Sequence, residues 1–320
     1  MPKEMTQDKK DNKNRYYSRD LGFVIASGVL FGTLSIFAAL LTATGMNALA
    51  QVTWRFLLTI PLFLLASVVL KKSSLFTIGS SDAILLLLQG LILFLAGIAF
   101  VEAISLGLQA NAAGFLGNIS PIFAIALQRI LFKERIGWRK VLAAMLSLLG
   151  VALLLLGGGG RISLGSSSYL PGLVALTSSF FFGTFVVMNG KFSHSLKYNS
   201  VSILFWSFVG AAVCSAVTAL ILGSIPTIVA GSVGFIVPHF STYQWGLLGG
   251  FSLFSASIPY LLLTLGERTV TATTASITLL LAPISTVVMS IFILGEFLNL
   301  LQILGGLLVM IGIIFVGKSR

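Results

Sequence analysis

The chain has 320 residues, of which 57% are hydrophobic and only 9% charged, with a net charge of +11. A soluble domain of this length carries about 25% charged residues, so a freely soluble fold is excluded. The basic excess is an orientation signal rather than the mark of a nucleic-acid binder, because of where the charges fall along the chain.

Residues 1–20 are polar, charged and without periodicity, and read as a disordered cytoplasmic tail. The apolar stretch that follows runs about 21 residues, longer than the 7–15 of a signal-peptide core, so no cleavage is expected. Crossing a bilayer takes about 20 apolar residues as a helix, and backbone in lipid must satisfy its own hydrogen bonds. Ten transmembrane helices are expected, over residues 21–41, 52–70, 83–108, 111–132, 138–156, 170–190, 199–222, 243–266, 270–294 and 298–316. The fold class is therefore an all-α, multi-pass membrane protein with no room for a separate soluble domain. With the N-terminus inside, eighteen of the twenty Lys and Arg residues fall at the cytoplasmic face. Arg161 lies in an outer loop and Arg55 within a span. This bias puts both termini in the cytoplasm. The single cysteine, Cys214, excludes an intrachain disulfide.

The chain also repeats itself. Pro121 and Pro283, Glu134 and Glu296, and Gly150 and Gly312 are each 162 residues apart, while Phe31-Gly32-Thr33 returns 151 residues later as Phe182-Gly183-Thr184. The halves are residues 21–156 and 170–317, each with five spans. An odd number of spans makes the second half enter the membrane from the opposite side, which is the inverted repeat used by alternating-access carriers. Residues 157–169, opening with Gly157-Gly158-Gly159-Gly160, read as a flexible external linker.

With its early Phe31-Gly32-Thr33, Trp54-Arg55-Phe56 in span two, the stretch from Ala110 to Pro121, Glu134-Arg135 after span four and the second copy ending Pro283…Gly295-Glu296, the sequence resembles the drug/metabolite transporter superfamily, specifically the EamA-type ten-helix permeases. The resemblance covers residues 20–317. It implies a permease in the cell membrane that moves a small organic metabolite such as an amino acid, in the direction of export. Trp206 stands where Arg55 would align in the second half, and Phe297 rather than a basic residue follows Glu296.

Few side chains are candidates for chemistry. Arg55 and Glu102 are charges within spans, where each costs at least about 2.5–3.5 kcal/mol unless it finds a partner. Both lie roughly 5–9 Å below the outer surface at 1.5 Å per residue, so an Arg55–Glu102 contact is expected, either as a structural ion pair or as a substrate or proton-coupling site. Arg55 alone could also reach the interface. Pro121 and Pro283 fall mid-span and free the carbonyls of Gly117 and Leu279, which suits either a plain kink or a broken helix at a midplane site. Asn118 and Thr278 are polar groups of spans four and nine, fit for interhelical hydrogen bonds or for a pathway lining. Tyr260, after Pro259 in span eight, could stack on a planar substrate or serve in the aromatic belt with Trp54 and Trp206. Gly28 and Gly32, matched by Ser179 and Gly183, form small-residue packing faces.

No phosphate-binding Gly-Lys loop occurs, and neither histidine clusters with acids, so no cofactor and no metal site are expected. A central cavity is expected between the halves, with spans five and ten at the periphery and available for a homodimer contact. The partners expected are a small-molecule substrate and the lipid bilayer, with no nucleic acid. The leading function is a secondary transporter working by alternating access. A membrane-embedded enzyme or a non-transporting membrane scaffold are the other classes; the first lacks a visible nucleophile or metal cluster and the second an interaction domain.

Overall fold

A computed structural model describes residues 2–69, 75, 78–106, 116–131, 133, 137–157, 170–195, 198–223, 240–294 and 299–318. Among the described residues there are thirteen α-helices. In chain order the helices are α1 (Pro2–Phe31), α2 (Thr33–Ala43), α3 (Ala48–Val69), α4 (Ser80–Ser105), α5 (Ser120–Leu131), α6 (Trp138–Gly157) and α7 (Leu170–Ser195). There follow α8 (Ser200–Gly223), α9 (Thr242–Ser252), α10 (Ile258–Gly266), α11 (Ala272–Thr278), α12 (Leu281–Leu294) and α13 (Leu300–Lys318). A π-helical turn, Leu253–Ser257, joins α9 to α10.

By length and composition seven segments can cross a membrane: Tyr16–Ala43, Ala48–Val69, Ser80–Ser105, Leu170–His194, Ser200–Leu222, Thr242–Gly266 and Ala272–Met289. Ser120–Leu131 and Leu300–Val316 are shorter apolar helices, and α6 completes the set of ten expected from the sequence. The 157–169 linker lies outside the described residues except for Gly157, as do Ala110, Asn111, Glu134 and Glu296.

The stretch expected as a disordered tail instead continues the first helix, which starts at Pro2. Proline is well placed in a first helical turn, and no glycine or further proline interrupts residues 3–21, so extending an already nucleated helix adds little cost. Its inner end is tied down. Asp20 is 1% exposed, pairs with Arg19 at 2.9 Å, and accepts a hydrogen bond from Thr269 across the fold at 2.9 Å.

Helix starts follow local chemistry. The Asn47, Asn199 and Asn299 side chains accept from the backbone N–H groups of Ala50, Ser202 and Gln302, and Ser241 forms a reciprocal capping box with Gln244. Gly45, with φ of +82°, ends α2 in a conformation that glycine adopts without strain. The apolar core is continuous through α1, α3, α4, α7, α8 and α10, with Phe56, Phe63, Phe185, Phe208 and Phe251 fully buried.

Close helix contacts occur at glycines, and they are reciprocal. A Cβ on Gly32 would lie 2.8 Å from the Ala282 carbonyl oxygen; one on Gly183 would lie 2.8 Å from the Ser120 carbonyl oxygen. Likewise a Cβ on Gly150 would lie 2.6 Å from the Gly305 carbonyl oxygen, and one on Gly312 would lie 2.8 Å from that of Ala143. Ala282 and Ser120, Gly305 and Ala143, and Gly312 and Gly150 are all 162 residues apart. Each contact thus links the halves, and its mirror image links them the other way. In the second set α6 packs along α13, leaving outer faces such as Met145, Leu149, Leu307 and Ile311 exposed.

Candidate substrate cavity

Four of the expected spans are not continuous helices. The first is interrupted at Gly32, the fourth turns at Asn118–Ile119, the eighth carries the π-helical turn, and the ninth breaks at Leu279–Leu280. The breaks in the fourth and ninth have one cause. Pro121 and Pro283 cannot donate to the carbonyls four residues back. In the ninth span the Leu279 carbonyl instead accepts from Ala282 N at 2.9 Å, a tighter turn that restarts the helix as α12. Pro121 lies at the second residue of α5.

These interruptions surround a cavity. Its wall includes Phe31, Leu34 and Ser35 of the first span, Arg55 of α3, and Ala96, Gly97, Phe100 and Val101 of α4. Opposite lie Gly117, Asn118 and Ser120, Ser178 and Phe182 of α7, Tyr260 of α10, and Leu279, Ala282, Pro283 and Thr286 at the ninth-span break. Two half-helices, α5 and α12, therefore begin at the cavity wall. Helix N-termini carry partial positive charge, so both turn that pole toward the space. Among the described residues, α6 and α13 contribute nothing to the lining.

Arg55 adds a full charge. It is 3% exposed. Its Nη2 donates to the Ser255 carbonyl at 2.7 Å, and the guanidinium carbon lies 4.7 Å from the Phe251 ring centroid, a cation–π distance. The Ser255 carbonyl is available because its ordinary helical donor would be residue 259, which is a proline. The π-helical turn and Pro259 together create the acceptor that holds Arg55. The Nε of Arg55 is buried and has no hydrogen-bond partner. Tyr260 interacts electrostatically with the guanidinium. The Tyr260 ring meets Phe31, Phe185 and Phe208 edge-on at 4.9–5.3 Å.

The expected Arg55–Glu102 contact is absent; among the described residues the ion pair is Arg19–Asp20. The reason is angular. Residues on an α-helix advance about 100° each, and Gly97, Phe100 and Val101 define the cavity face of α4. Glu102 is rotated off that face and is half-buried, while Arg55 is held by α9 and the π-helical turn. Of the other candidates, Asn118, Tyr260 and Pro283 line the cavity. Pro121 is buried beside it at the start of α5. Thr278 is fully buried, donates to the Thr274 carbonyl at 2.8 Å, and has the Gly28 face against its own carbonyl, which makes it a packing residue. Trp54 joins Phe240 and Trp245 in an edge-to-face cluster, and Trp206 donates to the Leu75 carbonyl at 2.9 Å.

A second polar group has no counterpart among the sequence-based candidates. Glu267, in the turn after α10, is 0% exposed. Asn189 Nδ2 donates to its Oε2 at 2.5 Å and to Thr264 Oγ1 at 3.0 Å, and Gln89 Nε2 donates to Asn189 Oδ1 at 3.2 Å. Ser207 completes the chain by donating to Gln89 Oε1 at 3.1 Å. Burial pushes the Glu267 carboxyl well above the usual carboxylate range, with the Asn189 hydrogen bond acting the other way. In the sequence Glu267 sits beside Arg268 at the edge of an expected span and reads as a wet loop charge. Its spacing of seven from Tyr260 is the signal that puts both on one helical face.

Comparison with known proteins agrees with this architecture. The EamA-like transporter family matches the chain twice, over residues 20–156 and 170–318. The chain is similar to the uncharacterized transporter YdfC of Bacillus subtilis, 28% identical over 208 residues, which are 65% of this chain and 62% of that protein. It is 30% identical over 204 residues to the riboflavin transporter ImpX of Fusobacterium nucleatum, covering 63% of this chain and 64% of that one. Both matches thus span less than two thirds of the relative. The uncharacterized transporter YyaM of Bacillus subtilis is 23% identical over 309 residues, covering 92% and 90%. A solved crystal structure superposes with a TM-score of 0.72 at 16% identity, covering 93% of this chain and 96% of the other, which establishes a shared fold.

Proposed function

The chain belongs to the EamA-like transporter family, and from that premise we propose that it is a secondary transporter of the cell membrane working by alternating access. The two five-helix halves are inverted repeats about an axis in the membrane plane, with both termini cytoplasmic. The reciprocal glycine contacts support this, since a two-fold relation makes every contact occur twice with the partners exchanged. The cavity between the halves is the substrate site, and rocking of one half against the other exposes it to each side in turn.

The observation that carries the substrate reading is Arg55. It is a buried guanidinium with an unpartnered Nε, in an aromatic-lined cavity onto which two helix N-termini open and whose described lining holds no acid. Such a site favours a planar, largely apolar molecule with an anionic or strongly hydrogen-bond-accepting edge. An α-amino acid fits poorly, because its ammonium group finds no carboxylate there. Riboflavin, which names the Fusobacterium relative, is a planar heterocycle with an acceptor edge and fits the description. The export direction implied by the resemblance is retained in this proposal.

The experiment is uptake into proteoliposomes of riboflavin, indole-3-acetate and tryptophan, with protein-free liposomes as the background. Protein-dependent movement of riboflavin or indole-3-acetate, and none of tryptophan, is the expected result. Movement of tryptophan alone would overturn the substrate class, and movement of none would count against transport of this class. Cysteines introduced at Ala43 and Ser81, in a Cys214→Ser background, test the topology: external reagent should label the first and spare the second.

A further inference from the structure

We propose that Glu267 is the proton-binding site of this transporter, taking up a proton when the fold closes over it and releasing it when α7 and α10 separate. The inference rests on the transporter reading above and adds the ion that would drive it.

The geometry has three parts. First, the carboxyl is fully buried and its Oε1 has no hydrogen-bond partner, while Oε2 accepts from Asn189. A buried carboxylate with one hydrogen bond and no cation is far costlier than the neutral acid. Second, the charged groups on neighbouring elements are committed elsewhere or face outward. On α1, Arg19 pairs with Asp20, and Asp20 accepts from Thr269. On α4, Asp82 accepts from Tyr198. On α6, Lys140 donates to Thr271. On α7, Lys191 and His194 are exposed, as is Arg268 in the turn itself. None of them forms an ion pair with Glu267 among the described residues.

Third, Glu267 is wired to the cavity. Tyr260, Thr264 and Glu267 follow one face of α10 at spacings of four and three. The Thr264 hydroxyl donates to the Tyr260 carbonyl at 2.8 Å and accepts from Asn189, which also donates to Glu267. Tyr260 lines the substrate cavity beside Arg55. The Gly190 backbone approaches closely, so that a Cβ there would lie 3.7 Å from Glu267 Oε1. Closure of α7 on α10 therefore excludes water from the carboxyl, and opening admits it. In the closed state the proton resides on Glu267; on opening it passes to water and leaves a hydrated carboxylate. Only the O–H bond is broken or made, and the proton is the sole species exchanged.

The test combines a spectroscopic arm and a flux arm on the full-length protein. At neutral pH the infrared carbonyl band of a protonated carboxyl should be present in wild type and missing in Glu267→Gln, which copies the neutral acid and is expected to fold. In proteoliposomes riboflavin serves as the probe. A pH gradient of about one unit can drive about tenfold accumulation per coupled proton. Wild type should show this accumulation. Glu267→Gln should keep riboflavin counterflow but lose gradient-driven accumulation, and Glu267→Asp should regain part of it with a shifted pH profile. A wild-type spectrum without the band overturns the proposal, and so does equal gradient-driven accumulation in wild type and Glu267→Gln. Absence of counterflow in both proteins would instead refute riboflavin transport, and the infrared arm then decides the proton site by itself.

Discussion

The two halves of this protein share their packing and differ in their chemistry. Gly32 meets α12 as Gly183 meets α5, and Gly150 meets α13 as Gly312 meets α6. The two mid-span prolines each sit in the first turn after a helix break. Yet at aligned positions the first half has Arg55, turned into the cavity, and the second has Trp206, tied to the Leu75 carbonyl. The contrast separates two demands on the sequence. Small residues at crossing points and prolines at breaks hold a symmetric scaffold, and they recur because both halves must pack alike. In the proposed reading the substrate is not symmetric, so its charge partner need occur only once.

The contrast is broken most severely at Arg55. Replacing it with alanine orphans the Ser255 carbonyl and removes the cavity's full charge; a charge-assisted hydrogen bond of this kind contributes about 1.5–3 kcal/mol, so transport of the proposed substrate class should fall by about 10- to 100-fold. Trp206→Phe, its aligned counterpart, should leave transport within about twofold, since a lost neutral hydrogen bond contributes about 1 kcal/mol to stability rather than to the site. Initial uptake rates for both variants decide it, and equal losses would remove the distinction between the halves.

The shared scaffold gives the next effect. Gly32→Ala and Gly183→Ala should each destabilise by about 1–3 kcal/mol through overpacking, because each Cβ meets a carbonyl oxygen at 2.8 Å, with Gly32 the more severe since its Cβ also meets that of Ser285 at 2.6 Å. Thermal unfolding in detergent measures this; a tolerated substitution at one site and a severe loss at the other would argue against reciprocal packing.

The buried Glu267 carboxyl should make stability depend on pH. A carboxyl whose folded-state pKa is raised stabilises the fold fully below its unfolded value, about 4.3, and that contribution is lost as pH rises toward the raised value. Wild-type melting temperature should thus decline as pH increases from about 4.3 into the neutral range, and Glu267→Gln should flatten the decline. A steeper slope in the variant would mean that the native carboxyl is ionised. The smallest effect is expected at Glu102, which lies off the wall of the Arg55 cavity and forms no ion pair among the described residues: Glu102→Gln should change stability by less than about 0.5 kcal/mol.

Much of this was legible in the sequence. Hydropathy finds the apolar helices, seven of them long enough to cross a membrane, and the 162-residue offset exposes the repeat that the family match also shows twice. Mid-span Pro121 and Pro283 point to broken helices, and Asn118 and Tyr260 do reach the cavity wall. The misplaced Arg55–Glu102 contact is an error of azimuth. Depth alone made Arg55 and Glu102 neighbours, yet contact requires both side chains to face one another, and Glu102 does not face the cavity. Glu267 was hidden because a charge beside Arg268 at a span edge looks solvated; its burial arises from α1 and α7 closing over the turn, where Gly266 and Gly190 admit the approach. The Ser255 acceptor required combining Pro259 with Arg55, 204 positions away in sequence, and no local pattern joins them.

In the proposed reading a single buried guanidinium gives the cavity its selectivity. Binding of indole-3-acetate and of tryptophan to purified wild type and Arg55→Gln, followed by calorimetry, tests it most directly. Wild type should bind indole-3-acetate at least about tenfold more tightly than tryptophan, and Arg55→Gln, still folded, should lose that preference. Equal binding of the two ligands by wild type, or an undiminished preference in Arg55→Gln, would contradict it.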